Sequence, residues 1–326
     1  MTNKERAIAA LTLQVPDRVP TFELEFQLAE EMFGKPLRPF ELTGAEINKL
    51  SQLEKERKLY EMAEYNAYVF GQLDYSIVSL NMNVVGDWSL VDREGRLPDE
   101  FVQYIKYLHE VTENKVLLTF HGDGTFAIPD GNKMYEFAYR TVGDPESLHE
   151  EANRMANAAI ERNKLLADAG VETLILCSDY CYNSGPFLSP DMFREFIQPY
   201  LHRIIKAAKG NGQYTIKHTD GNIMPIIDQL VECEPHALHS IDPMAGVDIR
   251  EVKRLYGDRV CLCGNVHCAA IQTGTEQEVI DSAEYCLTHA KPGGGYIFCT
   301  SNVPFKGMPP ERYQLVLDVW KRMRDY

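Results

Sequence analysis

Short runs of β-branched and aliphatic residues recur along the chain at 19–26, 116–121, 173–178, 214–218, 237–242, 260–265 and 296–300, with segments of helical periodicity between most of them. Alternation of this kind predicts a parallel sheet, because parallel neighbours need a crossover of about a dozen residues or more, usually a helix. An eighth strand falls at 68–70 or 75–78. Strands and helices in this number suit a closed barrel better than an open sheet, since no glycine-rich dinucleotide turn follows the first run. The expected fold is an α/β (β/α)8 TIM barrel, one domain over residues 1–326 with an N-terminal helical extension.

Local signals mark several helix starts. Asp144-Pro145-Glu146 and Ser189-Pro190-Asp191 each place a capping residue before a first-turn proline, and Thr275-Glu276-Gln277-Glu278 has capping-box spacing. After Ser189, the residues Phe193, Phe196, Ile197, Tyr200, Leu201, Ile204 and Ile205 form one helix face, which Pro199 should kink or interrupt. Residues 88–95 read as a hairpin or loop insertion.

Right-handed crossovers put every strand's carboxyl end on one face, and in such barrels the catalytic groups come from that face. Four successive runs end in polar signatures: Ile216-Lys217-His218-Thr219-Asp220, Ser240-Ile241-Asp242, Cys263-Gly264-Asn265 and Ile297-Phe298-Cys299. The barrel therefore predicts one pocket shared by His218, Asp220, Asp242, Asn265 and Cys299. Asp179 and Tyr180 after the 173–178 run, His121 at the end of 116–121, and Glu23 and Glu25 in the first run join the same rim. Asp242 before Pro243 and Asn265 after Gly264 also suit a second role, capping a helix or closing a turn. His239 alternates away from Ser240 and Asp242 and reads as structural, while Cys261 and Cys263 read as core.

Charge narrows the partners. A formal net charge of −15 without Lys/Arg clusters excludes a phosphate backbone or an anionic membrane surface as the main ligand. The first residues carry no signal-peptide core, and no apolar run is long enough to span a bilayer, so a cytoplasmic protein is expected. Its eight cysteines are expected to be reduced thiols, mostly buried. A homodimer is compatible with the commonness of twofold assemblies.

Several motifs, taken in order, resemble the uroporphyrinogen decarboxylase superfamily over nearly the whole chain. They are Asp17-Arg18-Val19-Pro20, Leu188-Ser189-Pro190-Asp191-Met192-Phe193, His218-Thr219-Asp220-Gly221-Asn222, and Tyr256-Gly257-Asp258 followed by Gly264-Asn265-Val266. Gly293-Gly294-Gly295-Tyr296-Ile297-Phe298-Cys299 with Pro309-Pro310-Glu311 completes the set. The resemblance implies a (β/α)8 barrel and one of two activities, decarboxylation of uroporphyrinogen or transfer of methyl groups to or from a corrinoid. Decarboxylases of the superfamily carry an arginine-rich stretch after the first strand to hold the tetrapyrrole's acid arms. Here that stretch is Glu23-Leu24-Glu25-Phe26-Gln27-Leu28-Ala29-Glu30-Glu31, and Cys299-Thr300 replaces a Gly-His pair. Acids in place of arginines would repel a polycarboxylate, which favours the methyltransferase branch.

Zinc enzymes of that branch resemble this chain in a His-x-Cys pair at the end of strand five and a cysteine after the last strand. The resemblance thus implies zinc on His218, Asp220 and Cys299, with Asp220 where those relatives have cysteine. Carboxylate for thiolate hardens the site and argues for an oxygen-bearing methyl ether over a thiol. Without metal, a protonated His218 or Asp220 would serve the leaving oxygen as acid. The implied function is transfer of methyl from a small methoxylated compound to the Co(I) corrinoid (cobalamin) of a separate protein docking at the carboxyl face, because this chain lacks an Asp-x-His-x-x-Gly cobalamin signature. His218, Asp220, Asp242 and Glu23 are the expected catalytic groups, with Glu25, His121, Asp179, Tyr180 and Asn265 contacting substrate. The alternatives are a tetrapyrrole decarboxylase and a methylcobamide:thiol methyltransferase.

Overall fold

In the computed structural model, which describes residues 1–38, 47–80, 91 and 94–326, seven parallel strands curl into a barrel wall. They are β1 (Ile77–Ser79), β2 (Leu117–His121), β3 (Thr173–Cys177), β6 (Tyr214–His218), β7 (Ala237–His239), β8 (Cys261–Val266) and β9 (Tyr296–Thr300), adjacent in that order. Between β3 and β6 the chain makes a small antiparallel hairpin of β4 (Cys181–Tyr182) and β5 (Gly185–Pro186).

The eighth stave is not a regular strand. Phe298 N donates to Pro20 O at 2.9 Å, Ser76 N donates to Thr21 O at 2.7 Å, and a single parallel bridge joins Thr21 to Phe298. Residues 20–22 thus close the gap between β9 and β1, but the expected strand at 19–26 goes no further. Pro20 has no N–H to give, and the next donor on β9, Thr300 N, bonds the Glu23 carboxylate in place of a backbone carbonyl. Of the two candidates for the remaining strand, 75–78 overlaps β1, and 68–70 lies inside the helix Gln52–Gln72, which a Ser51/Glu54 capping box starts. Most of the expected insertion at 88–95 lies outside the described residues.

Strand alternation sorts the core into two layers. Ile77, Leu117, Ile175, Ile216, Ala237, Cys261 and Ile297 point inward and pack with Ala7, Ala10 and Leu11 of the helix Asn3–Leu11, which closes the amino-terminal end. Leu118, Leu174, Leu176, Leu238, Leu262 and Phe298 point outward into the layer shared with the helices. The segment after Ser189 is two helices, Pro190–Phe196 and Gln198–Gly210, with Pro199 in the first turn of the second. All eight cysteines are free thiols, seven of them buried. Among the described residues, no helix is long and apolar enough to cross a membrane.

Candidate metal centre

The register of β6 and β7 sets His218 beside His239, both pointing into the barrel at its carboxyl end. Their Nδ1 atoms are 2.7 Å apart, a hydrogen-bonding distance. The other ring nitrogen of His218, Nε2, lies 3.8 Å from Asp179 Oδ1 and 3.8 Å from Asp220 Oδ1. One ligand atom from each of Asp179, His218 and Asp220 falls within 4.8 Å of the others, the one such group of His, Cys, Asp or Glu among the described residues.

The two carboxylates are held in place. Asp220 N donates to Asp179 Oδ1 at 3.1 Å, Ser240 Oγ donates to Asp220 Oδ1 at 2.7 Å, and Asn302 Nδ2 donates to Asp220 Oδ2. Burial pushes the Asp220 carboxyl above the usual range; the charge of His218 opposes that shift, and Asp179 and Asp242 add to it. His218 is buried while the Asp179 side chain is half exposed, so the group opens to solvent on one side. Burial, with the charge of His218, pushes the His121 imidazole down to about 3 and His239 well below its ordinary value, which keeps both neutral.

The loops that carry these groups are tied by a charge on the outer face of β6. Lys217 is fully buried; its Nζ donates to Asp123 Oδ2 at 2.9 Å, Leu176 O at 3.0 Å and Ser178 O at 3.1 Å, and lies 4.1 Å from the Tyr180 ring centroid. Tyr180 N donates to Thr219 Oγ1 and Ile128 N donates to Asp179 O, so three strand-end loops converge on Asp179. Gly221 sits at φ +82° and packs so close to the hairpin that a Cβ would fall 2.4 Å from Cys181 O, which leaves room for glycine only.

The structure redistributes the expected site residues. His218 and Asp220 come together, and Asp179 takes the place expected for Cys299 as third donor. Cys299 is sealed among Phe22, Cys261, Cys263 and Ile297, and burial pushes its thiol well above its ordinary value, so a thiolate ligand is disfavoured there. Glu23 is not in the group either. Phe22 and Leu24 face inward, which turns Glu23 outward to accept from Thr300 N, Thr300 Oγ1 and Tyr313 OH. Tyr180 is fully buried behind the rim, its hydroxyl 2.6 Å from Thr125 Oγ1. Asp242 accepts from Gly221 N and Met244 N, and Asn265 Nδ2 donates to Ile241 O at 2.6 Å; both are engaged as loop ties. Glu25 is half-buried, accepts from Gln27 Nε2, and its charge bears on Cys177, the register partner of His218. A cavity of about 690 Å3 lined by Asn265, His267, Asp248 and Tyr285 lies beside the ends of β7 and β8, with none of Asp179, His218 or Asp220 in its wall.

Sequence reasoning missed His239, Lys217, Asp123, Ser240 and Asn302. Simple alternation past Ala237-Leu238-His239 assigns His239 to the wrong face because Ser240 and Ile241 take φ of +82° and +50°, which ends the strand. A usable signal existed, since the runs Ile216-Lys217-His218 and Ala237-Leu238-His239 both end in histidine. A lysine inside an apolar parallel strand, buried on both faces, also announces a partner.

A family model described as uroporphyrinogen decarboxylase (URO-D) matches residues 127–323. A solved methyltransferase from Methanosarcina mazei, 18% identical, covers 99% of this chain and 99% of its own with a TM-score of 0.71, which shows the same fold. The curated uroporphyrinogen decarboxylase of Thioalkalivibrio sulfidiphilus is 27% identical over 203 residues, 58% of this chain and 53% of its own length. That of Chlorobium phaeovibrioides is 26% identical over 234 residues, 67% of this chain and 63% of its own. Each alignment thus spans less than two thirds of the curated relative.

Proposed function

Because the chain belongs to the uroporphyrinogen decarboxylase family, we propose that it works on that scaffold as a methyltransferase, moving methyl from a small methoxylated compound to the Co(I) corrinoid of a separate protein at the carboxyl face. One observation carries this reading, the convergence of Asp179, His218 and Asp220 on one point at the open end of the barrel. A group with two carboxylates repels the acid arms of a tetrapyrrole, which need cationic donors instead. The solved methyltransferase of the same fold supports the choice.

The donor set fits zinc or a harder divalent cation: one imidazole nitrogen and two carboxylate oxygens, fixed by Ser240, Asn302 and the Asp220 amide. Zinc on Asp179, His218 and Asp220 would supply Lewis acidity to the ether oxygen that leaves with the bonding electrons. The chain's own part is positional. Ser240 and Asn302 orient Asp220, the half-exposed Asp179 admits substrate, and neutral His121 offers a polar contact without adding charge. A carboxylate set in place of thiolates favours an oxygen donor over a thiol.

Purified protein should contain about one zinc per chain. Mixed with Co(I) cobalamin and a panel of methoxylated aromatic and aliphatic compounds, it should methylate the corrinoid, read from the visible spectrum. His218→Ala and Asp220→Asn should each lower the rate by roughly 100-fold or more. Release of coproporphyrinogen from uroporphyrinogen, with no methyl transfer from any donor in the panel, would overturn the reading.

A further inference from the structure

We propose that the cavity beside the ends of β7 and β8 is a second ligand site, suited to a small organic ammonium ion with an apolar body. It goes beyond the function proposed above, since none of Asp179, His218 or Asp220 lines it.

At about 690 Å3 the cavity lies in the range of small-molecule sites, which are mostly apolar and carry a few convergent polar groups. Its floor is apolar. Val247 and Ile249, from the segment after β7, line it and are almost wholly buried. Ala269, from the helix Cys268–Thr273, lines it too, and a side chain this small leaves the space open. The wall also holds His267, whose Nδ1 is buried with no hydrogen-bond partner, so one polar atom there is still unpaired.

Charge selects the ligand. Glu278, Asp281 and Tyr285 stand at i, i+3 and i+7 of the helix Glu276–Ala290, one face of it, and all three line the cavity. Glu278 accepts from Thr275 and Asp281 from Gln277, both neutral, so two like charges one turn apart face each other without a cation. No lysine or arginine lines the cavity. The nearby Arg250 pairs with a third acid of the wall, Asp248, at 3.2 Å. Tyr285 adds an aromatic ring held on two sides: its hydroxyl donates to Asp248 Oδ1 at 2.8 Å, and the His289 ring packs 4.4 Å away between centroids. An ammonium ion relieves the repulsion between Glu278 and Asp281 and is attracted by the tyrosine ring, while its hydrocarbon body covers Val247 and Ile249. An anion of the same shape is repelled, and a neutral molecule gains only the apolar contact.

Calorimetric titration at low salt tests three molecules of one shape: phenethylamine, protonated at neutral pH, 2-phenylethanol and phenylacetate. The parent should bind one phenethylamine per chain, at least about fivefold more tightly than 2-phenylethanol, with no binding of phenylacetate. That preference should shrink as salt is raised. Glu278→Gln combined with Asp281→Asn retains a capping-box side chain and should abolish the preference for the amine. Ala269→Trp should fill the cavity and abolish binding of amine and alcohol alike. A parent that binds no phenethylamine, or binds it no better than 2-phenylethanol, overturns the inference. So does phenethylamine affinity that is unchanged in both variants, or that Asp220→Asn weakens instead, which would put the amine at the carboxyl rim. Should Ala269→Trp not fold, the three ligands and the double variant still decide. A parent that transfers no methyl group but keeps the amine preference fails the proposed function and leaves this inference standing.

Discussion

At the scale of single residues, Glu23 shows burial outweighing hydrogen bonding. Thr300 N, Thr300 Oγ1 and Tyr313 OH all favour a carboxylate, yet complete burial pushes the group up to about 8. Its folded pKa lies above the unfolded value of 4.5, so its contribution to stability is fully present below that value and is lost as pH rises through about 8. The slope reaches about 1.4 kcal/mol per pH unit in that window. The parent should therefore melt at falling temperature from pH 5 to pH 8, and Glu23→Gln should flatten the decline. Superimposable melting profiles would show that the group titrates alike in both states. The sequence pattern marked Glu23 as a rim acid because it stands in a strand-like run, but only the inward packing of Phe22 and Leu24 tells which way it turns. His218 and Asp220 were legible, since a strand-end histidine followed by Asp-Gly has few places to go in a barrel.

At the scale of elements, parallel strands buried on both faces read as continuous apolar runs, which is why β3, β6 and β9 were legible to within a residue of their ends. The first stave was not, because a proline and a side-chain acceptor replace ladder bonds there. Lys217 is the element-scale exception, a charge on the outer face of β6. Lys217→Met would leave Asp123 buried without its cation and two carbonyls without their donor, at a cost of about 3–5 kcal/mol. Asp123→Asn added to it should recover part of that loss. Breaking the exposed Lys306–Glu30 pair should leave stability nearly unchanged, because solvent screens it. Urea unfolding of the four proteins checks this, and equal effects for the buried and exposed pairs would contradict it.

At the scale of the whole molecule, the helix Asn3–Leu11 is part of the barrel core. Leu11 is buried with the inward layer of the barrel, so Leu11→Ala should cost about 2–5 kcal/mol, as a core truncation does. A shift in the urea midpoint of under a tenth of the parent value, at unchanged slope, would show the helix to be a loose appendage. With its amino end filled, the barrel is a cul-de-sac. A small molecule that reaches His218 must come and go by the same opening that a macromolecular partner would have to cover. On the proposed function, that shape would order the arrivals: the small donor would enter first, the large acceptor would close over it, and the spent donor would wait until that acceptor departs. If the proposed function holds, an excess of the large partner would slow turnover by standing in that opening.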